Sequence, residues 1–287
     1  MPAIDGLVLV DKPAGVTSHD VVAAARRALG VRRIGHGGTL DPFATGLLVL
    51  LVGRATRLLP YLEGEPKMYS ATIRLGAETD TDDVTGAVTR TAAVADRPSI
   101  ERAMRGLTGD VLQVPPAYSA KQVGGRRAHA AARRGEPLTL AAATVTVHEW
   151  AVRAWRDDEV DVTITCGGGT YVRALARDLG RAAGSAAHLA ALRRLRSGPF
   201  DVRDARPANS LRAGSASVMP PIAAVPSLPV VVLDLESVRN VRRGRDVPAT
   251  PGAVGERAAL VDPDGALVAI AQRNDAWWHP RTVMADD

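Results

Sequence analysis

The segment from Ile34 to Val52 constrains this chain most, because a glycine-rich loop runs without interruption into six apolar residues. Leu47 to Val52 is a continuous apolar run, the pattern of a strand buried on both faces. It is far too short to cross a membrane. Immediately before it stands I-G-H-G-G-T-L-D-P-F-A-T-G. Gly35, Gly37, Gly38 and Gly46 permit tight turns and close approach of a partner, and Pro42 fixes one dihedral. The segment therefore holds a single carboxylate, Asp41, together with His36 on a rigid loop anchored to a core strand. The same residues also suit a tight surface turn in which Asp41 caps its own backbone. Local chemistry leaves both readings open.

The rest of the chain alternates strands and helices around this loop. Gly6 to Val10 reads as a short buried strand, followed by a turn at Asp11–Gly15. Ser18 can cap a helix through Leu29, with Val21, Val22, Ala25, Ala28 and Leu29 at helical spacing and Gly30 ending it. Arg54 to Leu62 carries a second, shorter helical pattern. Lys67 to Leu75 alternates as a strand and leads into the acidic connection E-T-D-T-D-D-V-T-G at 78–86. Ser99 to Leu107 predicts a helix, Thr144 to Trp155 and Glu159 to Cys166 a pair of strands, and Tyr171 to Ala183 a helix. Leu192 to Leu195 is a short basic element. The spacing lacks the regularity of a doubly wound sheet, so an α+β fold with a mixed, mainly antiparallel central sheet is expected. The divisions expected are 1–208 for the main domain, 209–229 for an Ala/Ser/Pro-rich linker, and 230–287 for a small β-rich domain.

Charge is distributed unevenly. Lys and Arg exceed Asp and Glu by only 36 to 31, but the excess is concentrated. One cluster lies in an insertion at about 117–143, with Lys121, Arg126, Arg127, Arg133 and Arg134. A second has Arg173, Arg177 and Arg181 spaced four apart on one helical face, then Arg193, Arg194 and Arg196. Clustered arginine suits phosphate, because a guanidinium fork holds two oxygens, and this pattern points to nucleic acid over a merely solvated face. With aromatics at only 3%, Tyr69 and Tyr171 stand out. Each is able to stack on a base, or to sit half-buried with its hydroxyl at the surface.

Other chemistries are disfavoured. A lone cysteine, Cys166, excludes an intrachain disulfide framework and a thiolate metal cluster. The six histidines show no metal-ligand spacing. There is no P-loop and no dinucleotide fingerprint, although Gly167–Thr170 before a helix resembles an anion cradle. Asp80, Asp82 and Asp83 are the acids that could partner Asp41 in a two-carboxylate mechanism, but no spacing brings them together. The N-terminus lacks the pattern of a signal peptide, and the expected location is the cytoplasm.

The motifs together resemble one family. G-H-G-G-T-L-D-P-F-A-T-G-L-L at 35–48 is similar to the catalytic motif of the TruB family, the bacterial tRNA pseudouridine-55 synthases. D-K-P-A-G-V-T-S at 11–18, K-M-Y-S-A-T-I-R-L-G at 67–76 and E-T-D-T-D-D-V-T-G at 78–86 resemble its other motifs. So do P-P-A-Y-S-A at 115–120, G-T-Y-V-R-A-L-A-R-D-L-G at 169–180 and A-H-L-A-A-L-R-R-L-R-S-G-P-F at 187–200, in the same order. The likeness covers roughly residues 4–205.

That resemblance implies the pseudouridine synthase fold and isomerisation of a T-loop uridine in tRNA. Asp41 corresponds to the family's essential aspartate, acting by addition to the sugar or by removing a ribose 2′ proton. Arg173 corresponds to the arginine that pairs with it. Tyr69 and Tyr171 correspond to active-site tyrosines, His36 to a residue beside the flipped nucleotide, and Leu192 to an apolar pocket residue. Lys12, Lys67, Lys121, Arg126, Arg127, Arg177 and Arg181 are expected to form a basic rim on the RNA. Neither route requires a metal or redox cofactor, so none is expected. The partner is tRNA through its T arm, the protein a monomer with no obligate protein partner, and the C-terminal region PUA-like. Gln122 and His129 depart from the family's usual lysine and aromatic, which bears on the insertion's phosphate contacts. A non-catalytic tRNA-binding factor and a synthase for another RNA are the competing readings.

Overall fold

A computed structural model describes residues 4–119, 121–211, 217–249 and 255–284. In chain order the elements begin with β1 (Gly6–Lys12), α1 (Ser18–Leu29), β2 (Ile34–His36), β3 (Thr45–Val52), α2 (Leu59–Glu63), β4 (Lys67–Leu75), β5 (Ala77–Thr79), β6 (Val88–Thr91), α3 (Arg97–Gly106) and β7 (Gly109–Gln113). They continue with β8 (Gln122–Val123), β9 (Arg126–Arg127), α4 (Ala128–Ala132), β10 (Ala143–Trp155), β11 (Glu159–Cys166), α5 (Val172–Ala182) and β12 (Ala187–Ser197). The last are β13 (Phe200–Asp201), β14 (Arg206–Pro207), β15 (Val230–Val232), α6 (Leu235–Arg242), β16 (Val247–Pro248), β17 (Arg257–Val261), β18 (Leu267–Asn274) and β19 (Trp277–Val283). Two compact units result, one of Met1–Asp41, Leu47–Glu63 and Pro199–Asp287, the other of Pro42–Gly46 and Gly64–Gly198.

In the first unit β1 lies between β14 and β3, and β2 runs antiparallel to β3 with His36 opposite Leu50. Leu47 to Val52 is fully buried, as a run apolar on both faces must be. Helix α1 buries Val21, Val22 and Ala25, and Gly30 ends it in the left-handed conformation at φ 66°. Its cap differs from the sequence reading by one residue. Thr17 is the N-cap: its hydroxyl accepts from Asp20 N at 3.0 Å, and the Asp20 carboxylate accepts from Thr17 N at 2.9 Å. The Ser18 hydroxyl is thereby free to bond Leu40.

The C-terminal residues of this unit form a five-stranded sheet in the order β15-β17-β18-β19-β16. Helix α6 covers it, packing Val238 and Val241 into a cluster with the fully buried Trp278. This helix was not legible in the sequence, because it shows only two core positions among arginines. The sheet shares a second core with the start of the chain. Leu7, Leu9, Leu47, Val49 and Leu51 pack with Ala259, Leu267, Ile270 and Met284. Polar ties reinforce it: Arg54 donates to Met284 O at 3.1 Å, Arg57 to Val283 O at 2.7 Å, and the Tyr61 and Thr282 hydroxyls are 3.0 Å apart.

In the second unit the first two residues of β3 pair in parallel with Arg193 and Arg194 of β12. From β12 the sheet continues through β4, β11, β10 and β7, each pairing antiparallel. The sheet is therefore mixed and mainly antiparallel, as expected. Strand β12 is far longer than the basic element read at 192–195, since Arg193, Arg194 and Arg196 interrupt the apolar alternation that marks a strand. Gly180 lets α5 approach β12 closely, because a Cβ there would lie 2.4 Å from Ala187 N.

Gly46 is the tightest point of the aspartate loop. It sits at φ 101°, and an added Cβ would come 2.3 Å from Arg194 O. Replacement by alanine combines left-handed strain with a backbone collision. Gly46→Ala is expected to destabilise the protein by about 2–4 kcal/mol in urea unfolding. A loss below about 1 kcal/mol would mean that β3 and β12 do not approach as described.

Candidate active site

Asp41 ends the first unit's loop, and its preceding residue is pinned. The Ser18 hydroxyl accepts from Leu40 N at 2.9 Å and donates to Leu40 O at 3.1 Å. Ser18 is buried and fixed on the first turn of α1, so the helix sets the height of the loop. Gly37 N donates to Val49 O at 2.9 Å, tying the loop's other side to β3. The carboxylate thus sits on backbone held from two directions. His36 lies at the end of β2. Lys12 corrects the sequence reading of an open rim. It is fully buried, and its ammonium donates to Pro13 O at 2.9 Å and Val16 O at 2.7 Å, knitting the turn after β1.

The second unit carries the tyrosines and arginines. Lys67, Tyr69, Ala71, Ile73 and Leu75 form the buried face of β4. Lys67 is therefore also buried rather than on an open rim, with its ammonium donating to Glu65 O at 2.7 Å. Leu192 on β12 stands opposite Ala71, one same-face step from Tyr69. Tyr171 is the N-cap residue of α5. Lys121 and Arg126 are exposed on the insertion, and Arg126 pairs with Glu136 at 2.6 Å. The side chain of Arg127 lies outside the described residues.

The arginine face of α5 is occupied. Arg173 donates to Thr81 O and to Tyr118 O, both at 2.9 Å, with Asp83 at 3.5 Å. Arg177 donates to Asp82 at 2.8 Å, to Asp178 at 2.9 Å and to Val114 O at 2.9 Å. Arg181 forks onto Glu78 at 3.0 and 2.6 Å. The acidic connection 78–86 is thus clamped rung by rung to the helix. The sequence expectation that Arg177 faces phosphate is corrected, because its guanidinium is buried in this ladder. Arg181 stays half-exposed while holding Glu78. The signal was present in the acids at 78, 82 and 83 and the arginine spacing of four. Neither the acids' number nor their spacing shows which charges meet.

The electrostatics follow the burial. The Arg181 guanidinium, with Arg90 beside it, holds the Glu78 carboxyl below its ordinary range. Asp82 moves the other way: burial pushes its carboxyl up, against the pull of Arg177 and Arg173. Asp82 also adopts φ 60°, rare for a side-chain-bearing residue. Asp83 accepts from the Thr81 hydroxyl at 2.8 Å and Thr85 N at 2.9 Å, so the connection is also rigid within itself. Burial pushes the Cys166 thiol up to about 11, leaving almost no thiolate at neutral pH. Among the described residues no group of three His, Cys, Asp or Glu is placed to hold a metal ion. No described helix is long and apolar enough to cross a membrane.

The fold matches that of chains in solved assemblies. One, from a structure titled as an H/ACA RNP bound to a substrate RNA containing 2′-deoxyuridine, superposes with TM-score 0.73 at 22% identity, over 98% of this chain and 85% of that one. Another, from a Cbf5-Nop10-Gar1 complex, gives TM-score 0.72 at 24% identity, over 97% and 84%. Both likenesses establish a shared fold. Residues 26–172 match the model of the TruB family pseudouridylate synthase N-terminal domain, and 173–219 that of the tRNA pseudouridylate synthase B C-terminal domain. Proteins named tRNA pseudouridine synthase B from Arthrobacter sp. (strain FB24) and Thermobifida fusca (strain YX) are 44% and 46% identical, over 98% of this chain and 97% and 99% of their own lengths. The chain belongs to the TruB family of pseudouridylate synthases.

Proposed function

We propose that this protein is a tRNA pseudouridine synthase that isomerises a T-loop uridine, with Asp41 as its essential carboxylate. The observation that carries the reading is the aspartate loop itself, a single carboxylate on backbone fixed by Ser18 and β3, in a chain similar along nearly its whole length to tRNA pseudouridine synthase B. The reaction breaks the N1–C1′ bond of uridine, rotates the base and forms a C5–C1′ bond, while C5 loses a proton and N1 gains one. Substrate and product have the same atoms and oxidation state, so no redox partner is needed. The base must leave its stack to be reached.

Asp41 contributes an ionised carboxylate, which either adds to the sugar or removes the 2′ proton. Arg173 supplies the cation that favours the ionised form. Tyr69 stacks on the base, and Tyr171 serves near the C5 proton. Leu192 and His36 shape the space around the flipped nucleotide. Lys121, Arg126, Arg127 and the free edge of Arg181 contribute phosphate contacts. We read 230–287 as a β-rich, PUA-like domain beyond a connection at 209–229, and the enzyme as a cytoplasmic monomer.

Turnover on an unmodified T-arm stem-loop tests this reading against the same stem with a scrambled loop. Conversion at the single T-loop uridine is expected to exceed conversion on the scrambled loop by on the order of 100-fold. Equal turnover would point to a different RNA, and binding without product to a non-catalytic factor.

A further inference from the structure

Tyr171 comes shortly after a run of glycines. Residues 167–169 are three successive glycines, with Gly169 at φ 84°. Glycine imposes almost no backbone preference, so this loop by itself leaves the next residue's position loose. As the N-cap of α5, Tyr171 has no side-chain cap either. Two external ties fix the loop instead. At its start Gly167 N donates to Thr146 O at 2.8 Å, and the Thr170 hydroxyl donates back to Gly167 O at 2.9 Å.

The second tie is at Tyr171 itself. Tyr171 N donates to the Gln113 side-chain oxygen at 2.8 Å, and the Gln113 side-chain nitrogen donates to Tyr171 O at 3.1 Å. One amide therefore satisfies both backbone groups of one residue, as a neighbouring strand would. Gln113 is itself buried in the sheet: it is only 1% exposed, it ends β7 opposite Ala143, and Pro115-Pro116 stands just beyond Val114. The Tyr171 carbonyl accepts in addition from Leu175 N at 3.1 Å, so the clamp also locks the first turn of α5, on which Arg173 stands.

We infer that Gln113 is a positioning residue for the reaction, holding Tyr171 in register through a two-point clamp on its backbone. This deepens the function proposed above and rests on the role given there to Tyr171. An amide is required because the site needs one acceptor and one donor in a fixed order. Leucine offers neither. Glutamate keeps the acceptor, but when ionised it sets a second oxygen against Tyr171 O. When protonated, it supplies the missing O–H and restores the pattern.

Two measurements separate this from a merely structural role. In single-turnover assays Gln113→Leu is expected to lower the rate on the order of 100-fold, the scale of a misplaced catalytic group, with RNA affinity unchanged. Gln113→Glu is expected to recover relative to wild type as pH falls, while the Gln113→Leu ratio stays flat. A loss confined to affinity, or a flat Gln113→Glu ratio, overturns the inference. The second readout needs no substrate. The chain has four tyrosines, so 3-fluorotyrosine labelling gives four resolvable 19F signals, assigned by single Tyr→Phe variants. Gln113→Leu should shift or broaden the Tyr171 signal and leave that of Tyr61 in place. An unmoved Tyr171 signal in folded protein overturns the clamp even if the RNA substrate has been misjudged. A moved signal beside an inactive wild type leaves the clamp standing and sinks the substrate reading.

Discussion

Asp41→Asn is expected to leave a folded protein that still binds the T arm but forms product roughly 10⁴-fold more slowly or worse. An amide is isosteric with the carboxylate, so the loop held by Ser18 and β3 keeps its geometry. It lacks the charge, however, and serves neither as nucleophile toward the sugar nor as base toward the 2′ proton. A factor of 10⁴ corresponds to about 5.4 kcal/mol of transition-state stabilisation, more than a positioning contact supplies. Single-turnover conversion with base-resolved detection, beside a binding isotherm for the same RNA, reads both halves of the expectation. Activity within tenfold of wild type would remove Asp41 from the chemistry. Loss of binding together with activity would make it a structural residue of the loop.

The largest effect on stability is expected from Arg177→Ala. Arg177 is buried and spends its donors on Asp82, Asp178 and Val114 O. Its removal leaves the Asp82 carboxylate buried without its nearest cation, a loss of about 3–5 kcal/mol. The pH dependence has a definite sign. Burial already raises the Asp82 carboxyl above its ordinary value, and loss of Arg177 raises it further. A group whose folded pKa lies above its unfolded one contributes fully below the unfolded value, and that contribution disappears as pH rises through the folded value. The deficit of the variant should therefore widen from pH 5 to pH 8. Adding Asp82→Asn should recover part of it. Thermal unfolding at the two pH values decides: an equal deficit at both, or one below about 1 kcal/mol, would show that the rung bears little of the fold.

Much of this was legible in the sequence, for identifiable reasons. Strong local signals gave β3, β4, α1 and α5: a doubly buried apolar run, a clean alternation, and helical spacing closed by glycine. The α+β class and the mixed sheet followed from the irregular alternation of elements. What escaped was non-local. Nothing near Arg177 says that it meets Asp82, ninety-five residues earlier, and a surface face and a buried ladder share the same spacing of four. The resemblance places Lys12 and Lys67 on the rim, yet each ammonium is held by backbone carbonyls of its own turn. Gln113 escaped for another reason, being a single unremarked amide whose partner lies fifty-eight residues on. The cap at Thr17 rather than Ser18 was a matter of one residue, and it released the hydroxyl that fixes Leu40.

The core shared by Leu7, Leu9 and Leu47 with Ala259, Ile270 and Met284 joins residues far apart in the sequence. During synthesis these groups are separated by roughly 10–55 seconds of elongation, at roughly 5–20 residues per second. The unit that carries Asp41 therefore cannot close its core on the ribosome until the region near residue 284 has emerged. The second unit, drawn from one nearly continuous stretch, is under no such delay. Contacts of such long sequence separation also fold slowly. Deletion of the residues from Leu267 to Met284 should for the same reason act on the aspartate loop, through a core left open.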